Sequence, residues 1–135
     1  MAAGPMHARP KPSAVVFAKD LARLADFYSQ VIGMAEVHRD QDHVVLDDAQ
    51  FQLVVHGVPH DIAARIRITE PVQVRENTAI KLCLAVPSIE QARQAAASLG
   101  GEVGPKREEW EARGFRACDG HDPEGNVFQV REWAE

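Results

Sequence analysis

The chain of 135 residues has no excess of basic residues: 15 lysines and arginines stand against 20 aspartates and glutamates. A formal net charge of −5 argues against nucleic acid as a partner, because nucleic-acid binders usually carry a basic patch. The sequence also lacks an apolar run of the roughly 18 residues that a membrane-spanning helix needs, so we expect no membrane partner. Cysteine is scarce. Cys83 and Cys118 make no disulfide framework, and we expect reduced thiols in a cytoplasmic protein.

What remains is the composition of one ordinary globular domain, with 45% hydrophobic and 26% charged residues. Residues 1–12 contain three prolines and no secretory apolar stretch, which predicts a disordered leader. We assign residues 13–135 to a single domain. Within it, module one covers residues 13–56, a connector covers 57–78 and module two covers 79–133.

The modules are assigned because the chain repeats one pattern at a constant offset of 68 positions. In each copy an apolar strand is followed by a helix N-cap residue, a helix and a glycine, with Asp20 and Ser88 as the N-caps. The apolar helical faces are Leu21, Leu24, Tyr28 and Val31 in the first copy and Ile89, Ala92, Ala96 and Leu99 in the second.

Three further strand signals follow each helix. In the first copy they are residues 34–38, 43–47 and 50–56, and in the second 101–103, 114–118 and 126–132. The predicted order is therefore β-α-β-β-β, twice. Residues 104–113 form a polar excursion that contains Trp110.

Two βαβββ modules in one chain resemble the vicinal-oxygen-chelate superfamily, which includes glyoxalase I, extradiol dioxygenases and bleomycin-resistance proteins. The resemblance is carried by Phe17-Ala-Lys-Asp-Leu21, Asp26-Phe-Tyr28, Val31-Ile-Gly-Met34 and Asp122-Pro-Glu-Gly-Asn-Val-Phe-Gln-Val130. It implies an α+β fold in which the two modules form a curved eight-stranded sheet around a central cup, with helices on the outer face. It also implies a homodimer and a small-molecule ligand.

Strand alternation predicts which side chains face the cup, because successive residues of a strand point to opposite faces. Ile80, Leu82, Leu84 and Val86 should pack under a helix, while Ser13, Val15 and Phe17 should face the cup. With the aromatic Trp110 near the rim, the candidate ligand-binding residues are Gln52, His56, Lys81, Cys83, Trp110, Gln129 and Arg131.

Metal-dependent members of the superfamily place one ligand on each of four strands, and the corresponding positions here are Ser13, Gln52, Lys81 and Gln129. A serine, two neutral amides and an ammonium group are a poor set for a divalent ion. We therefore predict no cofactor and no metal site, with a divalent metal as the alternative. His38 and His43, which should lie opposite each other in a hairpin, lack a fixed third ligand and are interpreted as solvated or loop-capping histidines.

Several roles stay open at this stage. Lys81, Arg131 and His56 could make the cup electropositive, or the two bases could pair with acids such as Asp47 or Glu132. Cys83 is interpreted as a small apolar filler rather than a nucleophile. Trp110 could be a lid over the cup, an anchor for a partner chain or a cover for a strand edge.

The first functional hypothesis is a glyoxalase- or bleomycin-resistance-like protein that binds a polar, anionic or carbonyl-bearing small molecule in a metal-free cup. The alternative is a metal-dependent lyase, isomerase or dioxygenase with a displaced metal site. Glyoxalase I itself would need a metal and an inward carboxylate base on the fourth or eighth strand, and neither strand offers one. A dimerisation module for a protein partner is a third possibility. The catalytic residues, if there are any, are not identified by the sequence.

Overall fold

A computed structural model describes residues 9–134 and shows the βαβββ unit twice, with one additional short strand in the second unit. The first unit consists of β1 (Ser13–Ala18), α1 (Leu21–Ile32), β2 (Ala35–Arg39), β3 (His43–Asp47) and β4 (Gln52–Gly57). The connector contains one helical turn, α2 (His60–Ala63). The second unit consists of β5 (Leu82–Ala85), α3 (Ile89–Ser98), β6 (Glu102–Val103), β7 (Trp110–Ala112), β8 (Phe115–His121) and β9 (Val127–Trp133). The predicted α+β class and the double module are confirmed.

Both long helices begin at the predicted caps. The Asp20 carboxylate accepts a hydrogen bond from the backbone N–H of Arg23, and the Ser88 hydroxyl accepts one from that of Gln91, each at 3.1 Å. Helix α1 ends at Gly33, whose φ of 86° lies in the left-handed region that glycine tolerates. None of the helices in residues 9–134 is long and apolar enough to cross a membrane.

The two modules have the same sheet topology. In the first sheet the strand order is β1-β4-β3-β2, and in the second it is β5-β9-β8-β6, with the short β7 also paired to β8. In each sheet the first strand of the module runs parallel to the last one, and the other pairs are antiparallel. Strands β1 and β5 are therefore equivalent edges, and a groove of about 550 Å³ between them is lined by Val15, Ile80 and Leu82, among others.

One hydrophobic core joins the modules, because α1 packs against the second sheet as well as the first. Phe27 and Tyr28 of α1 and Phe128 of β9 are buried with their ring centroids 5.3–5.9 Å apart, in edge-to-face arrangements. The predicted helical faces are also buried in this core, with Leu21 and Leu99 at its margin.

Two expectations about this region are wrong. Ile80 does not pack under a helix but is 76% exposed, because β5 starts only at Leu82. The polar excursion of residues 104–113 contains a strand, β7, which pairs Trp110 with Ala117 of β8.

The disordered leader was predicted for residues 1–12, of which residues 1–8 lie outside the described range. The described end of that segment contacts the first sheet. The Lys11 ammonium donates to both carboxylate oxygens of Asp47 at 2.8 and 2.9 Å, and the carbonyl of Pro12 accepts the backbone N–H of Gln52.

Candidate functional site

The cup side of each sheet, defined here as the face turned away from the helices, follows from strand register. In the second sheet, Trp110, Ala117, Arg131 and Ala85 are cross-strand neighbours on one line. The adjacent line contains Asp119, Gln129 and Cys83. Four of the seven predicted site residues, Cys83, Trp110, Gln129 and Arg131, therefore belong to one surface, and Lys81 joins them through its contact with Asp119.

A chain of polar contacts crosses this surface. The Lys81 ammonium lies 3.0 Å from the Asp119 carboxylate, and the Gln129 amide donates to the other oxygen of that carboxylate at 3.2 Å. The Gln129 carbonyl in turn accepts a hydrogen bond from Nε of Arg131 at 2.6 Å. Lys81 is thus paired with an acid, although with Asp119 rather than with Asp47 or Glu132.

Arg131 is held differently from Lys81, because its guanidinium is stacked on an aromatic ring. Its Cζ lies 4.4 Å from the ring centroid of Phe115, and Cζ of Arg113 lies 5.1 Å from the same centroid. Within residues 9–134, neither arginine has a carboxylate at ion-pair distance. The two guanidinium groups, Phe115 and Trp133 line a cavity of about 380 Å³.

One carboxylate also lines this cavity, that of Glu132, but it is engaged elsewhere. Its Oε1 accepts the backbone N–H of Ile89 at 2.7 Å, at the first residue of α3. A carboxylate at a helix N-terminus is stabilised by the exposed N–H groups and the helix dipole. Glu132 therefore acts as a cap for α3, and it does not neutralise Arg131.

Trp110 and Cys83 lie at the margins of this surface. Trp110 is 40% exposed on the short edge strand β7, directly opposite Ala117, which is fully buried. The indole therefore extends the surface beyond Arg131. Cys83 is exposed beside Gln129, and within residues 9–134 its thiol makes one long contact, 3.9 Å, to the carbonyl oxygen of Lys81.

The remaining predicted residues, Gln52 and His56, lie on the cup side of the first sheet. The Gln52 amide donates to the Asp47 carboxylate at 3.0 Å, where it joins Lys11. The His56 ring lies 5.9 Å from that of His43, nearly parallel to it, and is also 5.9 Å from Phe17. The contacts of Gln52 and His56 are separate from each other and from those of the second sheet, and no hydrogen bond of the described residues links either side chain to Arg131.

The four strand positions that bind metal in related proteins do not suit a divalent ion here. Lys81 offers an ammonium that is engaged with Asp119, and Gln129 has both its amide nitrogen and its carbonyl oxygen hydrogen-bonded. Gln52 is bonded to Asp47, and its cross-strand neighbour Ser13 provides only a hydroxyl. None of the four is a carboxylate, an imidazole or a thiolate, which are the ligands that divalent transition metals favour.

The motif at Asp122–Asn126 is structural. The fully buried Asp122 carboxylate accepts the Tyr28 hydroxyl at 2.7 Å, the Asn126 amide at 2.9 Å and the backbone N–H groups of Glu124 and Asn126. Burial, followed by the nearby Asp122 carboxylate, raises the pKa of Tyr28 well above its usual value. Glu124 accepts the backbone N–H groups of Lys19 and Asp20, just before α1. This turn therefore connects the end of the second module to the helix of the first.

Several residues of the surface escaped sequence reasoning. Asp119 was outside the predicted strand of residues 114–118, because β8 continues to His121. Phe115 lies at the start of that strand, and its role is to stack against two guanidinium groups. One of them belongs to Arg113, which reaches the ring from a turn where its φ is 45°. Trp133 could have been found from the sequence, because it follows Arg131 by two residues on the same strand and therefore faces the same side.

Comparison with known proteins agrees with the geometry. A family model described as a glyoxalase-like domain matches residues 13–131. A search of curated proteins finds no significant match.

Solved structures share the fold at low identity. A glyoxalase/bleomycin resistance protein/dioxygenase family enzyme from Burkholderia phytofirmans PsJN is 20% identical, with 90% of this chain and 97% of that chain covered and a TM-score of 0.63. For a glyoxalase/bleomycin resistance protein from Albidiferax ferrireducens T118 the identity is 17%, the coverage 91% and 98% and the TM-score 0.64. The fosfomycin resistance protein FosX from Mesorhizobium loti is 11% identical, with 94% of this chain and 93% of that chain covered and a TM-score of 0.62.

Proposed function

The chain belongs to the glyoxalase-like domain family, and from this premise we propose that it binds an anionic or carbonyl-bearing small molecule on the cup side of its second sheet. Arg131 is the central contact. The observation that carries the proposal is its guanidinium, which is stacked on Phe115 and held by Gln129 but has no carboxylate partner in residues 9–134.

Arg131 suits an anion because its orientation is set while its charge is uncompensated. The bond from Nε to Gln129 and the Phe115 ring hold the planar fork, which leaves the terminal nitrogens for a ligand. A carboxylate or phosphonate matches two parallel N–H donors, and such charge-assisted bonds are stronger than neutral ones. Lys81 contributes less to this preference, since Asp119 offsets its charge.

The surroundings of Arg131 favour a ligand that also has a flat apolar part. Trp110, Phe115 and Trp133 lie on the same face as the guanidinium, and Trp133 is 82% exposed. Aromatic faces offer a large apolar contact area with few rotatable bonds. An aromatic carboxylate or phosphonate is therefore the chemical class that we assign to the site.

The open cup sides support a homodimer as part of the proposal. Phe17 is 63% exposed on β1 of the first sheet, away from the ligand surface, and a second copy of the chain would cover it there. Cys83 and Cys118 are free and lie on opposite faces of the second sheet, which agrees with the reduced thiols of the proposed cytoplasmic location.

The proposal can be tested by following tryptophan fluorescence, because both tryptophans of the chain lie on the proposed surface. Benzoate and phenylphosphonate serve as anionic probes, and benzamide serves as the neutral analogue. We expect the two anions to change the fluorescence in a saturable way at up to millimolar concentration, and benzamide to bind at least tenfold more weakly. Equal binding of benzamide, or no response to either anion, would overturn the proposal.

A further inference from the structure

We propose that His38, Asp40 and His43 form a binding site for one Zn²⁺ ion, or a divalent transition-metal ion of the same class, at the tip of the β2–β3 hairpin. Water molecules would complete the coordination. The site lies on the first sheet, and it depends neither on the anion-binding surface of the second sheet nor on the four strand positions discussed above.

The fixed third ligand that the sequence did not reveal is Asp40. Its Oδ1 accepts the backbone N–H groups of Asp42 and His43 at 2.8 and 2.9 Å, so that the turn itself orients the carboxylate. Its Oδ2 lies 3.0 Å from Nε2 of His38, and Oδ1 lies 3.1 Å from Nδ1 of His43. Such hydrogen bonds from the backbone commonly hold a ligating carboxylate in place.

The spacing of the three donor atoms suits one small ion. All three lie within 4.8 Å of one another, and the two distances to Asp40 are 3.0 and 3.1 Å. Zinc bonds of about 2.0–2.1 Å with tetrahedral angles place neighbouring ligand atoms about 3.3 Å apart. The two short distances reach different oxygens of Asp40, and both histidine side chains are partly exposed, so they can rotate to bring their nitrogens to one ion.

The charges around the hairpin favour a cation. Asp42 adds a second carboxylate to the turn, and its backbone N–H is bonded to the Asp40 carboxylate at 2.8 Å. Arg39, the nearest strong base in sequence, pairs with Glu36 at 2.8 Å and lies 3.7 Å from Asp26 of α1. Its guanidinium is therefore occupied on the helix side of the sheet.

The ring of a third histidine, His56, lies next to that of His43. The ring centroids of His38 and His43 are 4.9 Å apart, and those of His43 and His56 are 5.9 Å apart. Nδ1 of His56 lies 2.9 Å from the carbonyl oxygen of Gly57, which can only accept, so Nδ1 is the donor of this hydrogen bond. Neutral imidazole and carboxylate ligands favour zinc, copper and nickel over magnesium and calcium.

The test is a calorimetric titration of Zn²⁺ into the full-length protein after chelator treatment and dialysis. We expect one ion per chain and no heat with Mg²⁺. His38→Ala and His43→Ala should each weaken binding by at least about 10- to 100-fold, whereas His60→Ala, a change in α2, should leave it unchanged. Absence of Zn²⁺ binding, or wild-type affinity in both of the first two variants, would overturn the proposal.

Nitrogen NMR of the imidazoles gives a second readout that needs no variant. We expect Zn²⁺ to shift the resonances of Nε2 of His38 and Nδ1 of His43, the two nitrogens nearest Asp40. Shifts confined to other histidines would also overturn the proposal.

Discussion

Replacement of Asp122 by alanine tests whether the most family-like motif of the chain holds the two modules together. The change removes an acceptor of four hydrogen bonds, at 2.7, 2.8, 2.9 and 3.0 Å, and leaves the buried Tyr28 hydroxyl without its partner. A hydrogen bond to a charged group contributes about 1.5–3 kcal/mol, but relaxation keeps such losses from adding fully. Each buried donor left without its partner costs about 1–3 kcal/mol, so we expect a total loss of about 3–5 kcal/mol, less than the full sum for four donors.

That loss would be a large part of the about 5–15 kcal/mol by which a domain is usually stable. Urea denaturation followed by circular dichroism measures it, with Asp61→Ala on α2 as the matched control because its carboxylate is 76% exposed. The control should stay within about 0.5 kcal/mol of the wild type. Tyr28→Phe should cost about 1.5–3 kcal/mol, and the double variant less than the sum of the two single ones. A loss below about 1 kcal/mol for Asp122→Ala would refute the anchoring role.

Three further predictions concern pH, the Lys81 pair and assembly. Because the pKa of Tyr28 is raised in the folded protein, the tyrosine ionises first in the unfolded chain, and stability should fall as pH rises above about 10. Tyr28→Phe should reduce that fall in alkaline urea denaturation, and an unchanged profile would contradict the prediction. Lys81→Ala should weaken binding of phenylphosphonate less than threefold, since Asp119 already offsets the charge of Lys81. A loss of affinity as large as that of Arg131→Ala would contradict this minor role of Lys81. Phe17→Glu should shift a dimer toward monomer in sedimentation experiments, whereas an unchanged mass would argue against β1 as part of the interface.

The fold could be predicted because the sequence repeats local signals that agree with one another. Asp20 and Ser88 cap their helices as their spacing indicates, and the β3 strand has the predicted bounds. The ends of the strands were less predictable. Ile80 continues the alternation of β5 in sequence, but the strand pairing with β9 ends at Leu82, and only the partner strand determines that point.

The site could be predicted only in part, since its chemistry depends on contacts between distant strands. Strand alternation correctly placed Gln129 and Arg131 on the cup side. It did not reveal that Lys81 contacts Asp119 or that Arg131 stacks on Phe115, because both partners lie on β8, which extends beyond its apolar pattern. The same holds for Asp40, which reaches two histidines through the geometry of its turn rather than through residue spacing.

The most direct test of the central claim is the dissociation constant of phenylphosphonate for the wild type and for Arg131→Ala, measured by calorimetry. Arg65→Ala is the matched control, because this arginine lies outside the surface and is 77% exposed beside Asp61. The account predicts a loss of about 10- to 150-fold in Arg131→Ala, which corresponds to about 1.5–3 kcal/mol for a charge-assisted bond, and wild-type affinity in Arg65→Ala. Equal affinity of Arg131→Ala and the wild type would contradict it.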